Sequence, residues 1–203
     1  MPRASRAYFA SKRTFDLVLC FLLLPLLVPI LLLCLVAICL DSTGRPLFTQ
    51  QRTGRDGKRF RMYKFRTMVH NAEELKASLA HLNILPPPDF KILDDPRITR
   101  VGKFLRKTSL DELPQILNVI RGDMSLVGPR PTSFVPAKYA LWHTHRLEVP
   151  PGITGLWQVK GRNDTTFDER LRLDIRYIDT MSFRTDLKIL CLTAAAVLHR
   201  SGA

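Results

Sequence analysis

Residues 108–131 hold the densest set of side chains able to do chemistry. Asp111 and Glu112 stand side by side, Gln115 and Asn118 follow Asp111 at i+4 and i+7, and Arg130 sits in the stiff turn Gly128-Pro129-Arg130-Pro131. An ionised aspartate can attack phosphorus. Two adjacent carboxylates can hold a hard cation such as Mg²⁺, which takes one or two carboxylates together with substrate phosphates. Oxygen donors of this kind also suit Mn²⁺. The spacing of Leu113, Ile116, Leu117 and Ile120 predicts a helix at the centre of the stretch. Ser109 and Glu112 have the spacing of a capping box. Pro114 is tolerated only near a helix start, and Gly122 is a plausible stop. Whether Ser109 or Asp111 is the cap stays open. On this reading Asp111, Gln115 and Asn118 share one polar face. The plain alternative is that the two acids only cap a surface helix, because acids are routine in a first turn.

The elements that must position these groups are readable on both sides. Residues 17–40 contain no charge. As a helix they would reach ~36 Å, enough for a ~30 Å hydrocarbon core, so this is a membrane segment, interrupted by Pro25 and Pro29. Lys12, Arg13 and Asp16 precede it at spacings that let them reach one another. A basic run from Arg45 to Arg66 follows. Within that run, residues 46–51 and 59–66 read as two strands around Asp56-Gly57, a hairpin turn signal. Lys64 and Arg66 at its end can bind phosphate, and the run as a whole can lie on anionic lipid.

Residues 71–83 predict a helix ended by Pro86-Pro87-Pro88, and Asp95-Pro96 predicts a turn. Residues 101–107 deliver Arg106 close to Asp111. Residues 134–142 read as helical, and 153–159 as a loop or short strand. Thr166 and Glu169 form a second capping-box spacing at the start of a helix reaching Ile178, with Asp174 among apolar neighbours as a structural acid. A last amphipathic helix covers 186–200. The four cysteines form no paired motif and read as small buried hydrophobes.

Several of these motifs together resemble the bacterial sugar transferase family, the monotopic polyprenyl-phosphate phosphoglycosyl transferases. They are Ser109-Leu110-Asp111-Glu112-Leu113-Pro114-Gln115, the run from Gly122 to Pro131, Lys64-Phe65-Arg66-Thr67-Met68, Pro151-Gly152-Ile153-Thr154-Gly155-Leu156-Trp157-Gln158 and Gly161-Arg162. The resemblance runs from about residue 13 to near 200. It implies transfer of a sugar 1-phosphate from a nucleoside-diphosphate sugar, a UDP-sugar, to polyprenyl (undecaprenyl) phosphate, through a phosphosugar bound to Asp111. Mg²⁺ (or Mn²⁺) would be held near Asp111 and Glu112. Lys64, Arg66, Arg106, Gln115, Asn118, Arg130, Gln158 and Arg162 would bind substrate. One departure stands out: the family places a serine before the proline of its membrane bend, and this chain has Val28-Pro29.

The expected fold is mixed α/β and mainly helical. Residues 1–45 form a re-entrant membrane helix with its flank, and 46–203 form a compact cytosolic domain with amphipathic helices at the interface. Both flanks of the apolar segment are basic, which assigns both to the cytoplasmic face of the bacterial inner membrane. The formal charge of +13, from 31 Lys+Arg against 18 Asp+Glu, suits phosphorylated substrates and anionic lipid. No nucleic-acid-binding motif accompanies it. The rival functions are a membrane-anchored phosphohydrolase and a basic membrane scaffold without catalysis. Oligomeric state and the identity of the sugar are not encoded in any motif.

Overall fold

Residues 17–40 fall inside one long helix, α1 (Arg6–Asp41), in the computed structural model of the chain, which describes residues 5–84, 90–135, 140–160 and 166–198. Ser5 caps the helix, its hydroxyl accepting from the Tyr8 N–H at 3.2 Å. Pro25 and Pro29 lie within it and leave the carbonyls of Phe21 and Pro25 without helical donors. One face of α1 rests on the remainder of the protein. Lys12, Asp16, Cys20, Cys34 and Ile38 are buried along it, with Leu27, Ile30, Leu31 and Leu35 packed beside them. The other face, with Leu22, Leu26, Leu33, Val36 and Leu40, is apolar and exposed.

Both ends of α1 are anchored by polar contacts. Lys12, Arg13 and Asp16 spend their hydrogen bonds on partners far along the chain, while the Lys12 charge still reaches Asp16 as their spacing predicts. Lys12 Nζ donates to Asp186 at 2.7 Å, Ser125 Oγ donates to Asp16 at 2.7 Å, and Arg13 donates to the carbonyls of Val119 and Ile120. Tyr8 and Tyr177 add hydroxyl donors to Asp186 at 3.0 and 2.6 Å. At the other end Asp41 accepts from the Val101 N–H at 3.0 Å, and Arg66 donates to the Ser42 and Thr43 carbonyls at 2.7 Å each. Cys20 and Cys34 are buried as expected, whereas Cys39 and Cys191 lie exposed.

The expected hairpin forms from β1 (Leu47–Thr53) and β2 (Arg59–Phe65), paired antiparallel with Leu47 opposite Phe65 and Thr53 opposite Arg59. Asp56 and Gly57 both adopt positive φ in its turn. The helix expected over 71–83 is shorter, reduced to α2 (Glu74–Ser78) and a 3₁₀ turn. The triple proline after it lies outside the described residues. Next come α3 (Arg100–Thr108), a 3₁₀ turn over Leu110–Gln115 and α4 (Ile116–Arg121), which ends at Gly122 in the left-handed conformation.

β3 (Ser125–Val127) pairs parallel with β4 (Gly152–Thr154). The two backbones approach so closely that a Cβ on Gly152 would lie 2.1 Å from the Gly128 nitrogen. Of residues 134–142, read as one helix, 136–139 lie outside the described residues, and the regular structure next to them is a 3₁₀ stretch over Leu141–Leu147. α5 (Leu156–Lys160), α6 (Phe167–Asp179) and α7 (Phe183–Leu198) complete the described elements, and the Thr166–Glu169 capping box is formed. Among the described residues the protein is mainly helical with two small sheets. Val127, Val149, Tyr177, Ile178 and Ile189 form one core, and Cys20, Met62, Ile116, Val119 and Met124 form a second beneath α1.

Candidate active site

The cleft begins where α3 stops. Ser109 takes a left-handed φ of 58° and closes α3, its N–H bonding the Arg106 carbonyl. A non-glycine residue in that conformation stores backbone strain, of order 1–3 kcal/mol. The reversal turns the chain directly into the 3₁₀ turn and aims Asp111 and Glu112 into the cleft. Ser109 therefore makes no side-chain cap, and the predicted Ser109–Glu112 capping box is not formed. Glu112 is already engaged by other groups.

Glu112 is a charge hub. Lys64 Nζ from β2 donates to its Oε1 at 2.7 Å, and Arg130 donates to both carboxylate oxygens, at 3.0 Å to Oε2. Lys64 also lies 3.9 Å from Asp111 Oδ2. Burial alone would raise the Glu112 pKa, but Arg130 and Lys64 outweigh it and hold the carboxyl well below its usual range. Asp111 goes the other way: burial pushes it up, and Lys64 pulls it only partly back. Burial also lowers Lys64, against the pull of Glu112. Two neighbouring carboxylates thus have opposite characters, one clamped by cations and one more basic than an ordinary aspartate.

The surrounding arginines are fixed by the fold. Gly102 lets α3 press onto Thr67, since a Cβ there would lie 2.1 Å from the Thr67 carbonyl oxygen. That contact brings Arg106 Nε to Thr67 Oγ1 at 2.9 Å. The Gly128–Pro131 turn carries Arg130 and is held by Gly152 N–H donating to the Pro129 carbonyl at 2.9 Å. Arg146 donates to the Arg130 carbonyl and to Asp174, each at 2.5 Å. Asp174 is pushed up to about 6 by burial in spite of Arg146. Through Arg146, Asp174 braces the turn that presents Arg130.

The predicted site residues divide clearly. Lys64, Arg66, Arg106, Asp111, Glu112, Arg130 and Gln158 all line one cleft of about 1070 Å³. Arg66 lines it while spending its donors on the end of α1. Gln158 donates to the Ile153 carbonyl at 3.1 Å. Gln115 is buried outside the lining, as is Asn118. Asn118, 0% exposed, accepts from the Tyr63 N–H at 3.0 Å and donates to the Arg61 carbonyl at 2.7 Å and to Asp123. Its place is beneath the site, holding the strand that carries Lys64. Arg162 lies outside the described residues. Arg146 and the cleft-lining Phe90 carry no signal in the sequence, while Thr67 and Trp157 sit inside the motifs quoted above without a role of their own.

A hard cation fits this donor set in one way. Among the described residues no three His, Cys, Asp or Glu side chains cluster as a metal site. Both Glu112 oxygens already accept from cations, which leaves Asp111 as the more available carboxylate. Substrate phosphate would complete the shell, the pattern Mg²⁺ favours.

The family model described as bacterial sugar transferase matches residues 7–200. The chain is 51% identical over 79% of its length to "Galactosyl transferase CpsE" of Streptococcus agalactiae, covering 36% of that protein. It is 46% identical over 98% of its length to "Undecaprenyl-phosphate galactose phosphotransferase" of Salmonella typhimurium, covering 43% of it. It is 40% identical over its whole length to "UDP-glucose:undecaprenyl-phosphate glucose-1-phosphate transferase" of Caulobacter vibrioides, covering 74% of it. The chain thus spans less than half of the first two.

Proposed function

Since this chain belongs to the bacterial sugar transferase family, we propose that it transfers a sugar 1-phosphate from a UDP-sugar to undecaprenyl phosphate through an aspartyl intermediate. The observation that carries this reading is Asp111 itself: a half-buried carboxylate of raised basicity in a cleft lined by Lys64, Arg106 and Arg130. An Asp111 oxygen attacks the sugar-bearing phosphorus. The bond from that phosphorus to the bridging oxygen breaks, and uridine monophosphate leaves with the electron pair. An acyl phosphate carrying the sugar remains. A phosphate oxygen of the lipid then attacks the same phosphorus and returns the Asp111 carboxylate. Lys64 and Arg130, steadied by Glu112, and Arg106, steadied by Thr67, offset charge on the transferring group. Splitting the reaction lets one site serve a soluble and a membrane-bound substrate in turn.

The test is product analysis with purified protein. Incubation with UDP-sugar and undecaprenyl phosphate should release uridine monophosphate and form a lipid-linked sugar diphosphate. Free sugar phosphate in place of the lipid product would favour the phosphohydrolase, and no nucleotide release would favour the scaffold. Mg²⁺ (or Mn²⁺) held by Asp111 and the substrate phosphates would neutralise diphosphate charge. EDTA should therefore stop turnover and added Mg²⁺ restore it, while full activity in chelator would remove the cation from the reading.

We further propose that α1 is re-entrant, with the catalytic domain on the cytoplasmic face of the inner membrane. Two observations support it. The contacts of α1 run from Lys12 to Asp41 on the same body, roughly 44 Å of helix at 1.5 Å per residue, longer than a ~30 Å hydrocarbon core. Both flanks are also basic. A straight span would drag the cleft and its arginines into the bilayer. In spheroplasts, with the native cysteines replaced, a Ser5→Cys variant should resist a membrane-impermeant thiol reagent until the membrane is permeabilised. Labelling from outside would mean a spanning helix.

A further inference from the structure

The lining of the cleft that holds Asp111 has two unlike parts. One part is apolar and lies against α1: Leu23, Leu27, Ile153, Trp157 and Val197 line it. The other part is basic and carries an aromatic ring. Phe90, 38% exposed, has the Arg97 guanidinium carbon and Lys76 Nζ each 5.6 Å from its ring centroid.

This second part is built rather than incidental. Arg97 is 4% exposed and locked in place. Its Nε and Nη2 donate to Asp95 at 2.9 and 2.6 Å, and its Nη1 donates to the Ala72 carbonyl at 3.2 Å. Lys76, more exposed, reaches Glu73 at 3.4 Å. Arg106 links the two regions, since its guanidinium is drawn by the charges of both Asp111 and Asp95. The mechanism above uses neither Phe90 nor Lys76, and an exposed ring beside a fixed cation in the same cleft as the nucleophile suits a ligand with a flat polar face and an anionic tail.

A nucleotide has that shape. With its sugar-bearing phosphorus at Asp111, the rest of the donor must lie along one part of the lining, and a polar nucleoside is disfavoured at the apolar one. We propose that the basic, aromatic part is the nucleoside subsite of the donor, with the base against the Phe90 ring and the ribose phosphate toward Lys76 and Arg106. Stacking on an aromatic ring tolerates any base, so this subsite supplies affinity for a nucleotide and leaves the choice of sugar to other residues. The proposal rests on the nucleotide-donor reading.

Calorimetric titration of the full chain with uridine monophosphate and with ribose 5-phosphate separates the two ideas. The wild-type protein should prefer the nucleotide by about tenfold or more. Phe90→Ala should weaken uridine monophosphate binding by about 5- to 150-fold, the range that loss of one base–aromatic stack produces, and leave ribose 5-phosphate binding unchanged. Phe90→Leu, which keeps apolar bulk without a π face, should behave like Phe90→Ala, and Phe90→Tyr like the wild type. In turnover the KM for UDP-sugar should rise in Phe90→Leu while the KM for undecaprenyl phosphate stays put. Nucleotide affinity within twofold of wild type in Phe90→Leu would overturn the subsite and leave the proposed reaction standing. A wild-type protein that binds no uridine monophosphate would overturn the donor reading and the subsite with it.

Discussion

Asp111→Asn is expected to lose turnover by on the order of 10⁴-fold or more, the scale on which a nucleophile's removal acts, with the fold intact. An amide matches the carboxylate in shape but does not attack phosphorus. Stability should hold or rise slightly, because burial disfavours the charged form of Asp111 and the neutral amide does not meet that penalty. Thermal unfolding and activity are therefore expected to move independently. Wild-type protein given UDP-sugar without lipid should carry one phosphosugar, located by mass spectrometry on the peptide containing Asp111, and steady-state kinetics should be ping-pong. A variant that retains substantial turnover, or an adduct on another side chain, would end the covalent mechanism.

How much of this could be read before any coordinates is a matter of which contacts are local. The hairpin, the Thr166 capping box and the stop at Gly122 depend on neighbours in sequence, and all three form where expected. The long apolar helix is equally legible from composition. Failures lie where a distant partner outbids a local one. Ser109 and Glu112 have the right spacing for a capping box, yet Lys64 and Arg130 offer Glu112 charged donors and Ser109 becomes the left-handed close of α3. Lys12 and Asp16 are one turn apart and still spend their hydrogen bonds on Asp186 and Ser125, more than a hundred residues on. Asn118 lies on the helical phase of Asp111 only if 108–121 is one α-helix. The 3₁₀ turn, with three residues per turn, changes that phase, and Asn118 ends beneath β2. Asp111, Glu112, Lys64, Arg66, Arg106 and Arg130 are legible as a set, whereas Arg97 and Lys76 of the same cleft are not. The division of labour within the set is not legible either, because it depends on which carboxylate the cations choose.

That division makes Glu112→Gln the sharpest test of the site's electrostatics. The substitution keeps the shape and removes the one charge that both Lys64 and Arg130 face at hydrogen-bond distance. Stability should fall by about 1–3 kcal/mol, since two partly buried cations each lose a charge-assisted hydrogen bond. Turnover should fall by about 10²–10³-fold, the scale of losing a preorganised charge contact. The pH profile carries the sign. Its acid limb follows protonation of Asp111, which the Glu112 charge raises, so removing that charge moves the limb to lower pH. Its alkaline limb follows loss of the Lys64 proton, which Glu112 helps retain against burial, so that limb also moves to lower pH. The whole bell should shift in one direction, with the Mg²⁺ concentration needed for half-maximal rate unchanged. A cation held chiefly by Glu112 gives the opposite pattern: a much higher Mg²⁺ requirement, with both limbs in place. That result would replace the charge hub with a metal ligand.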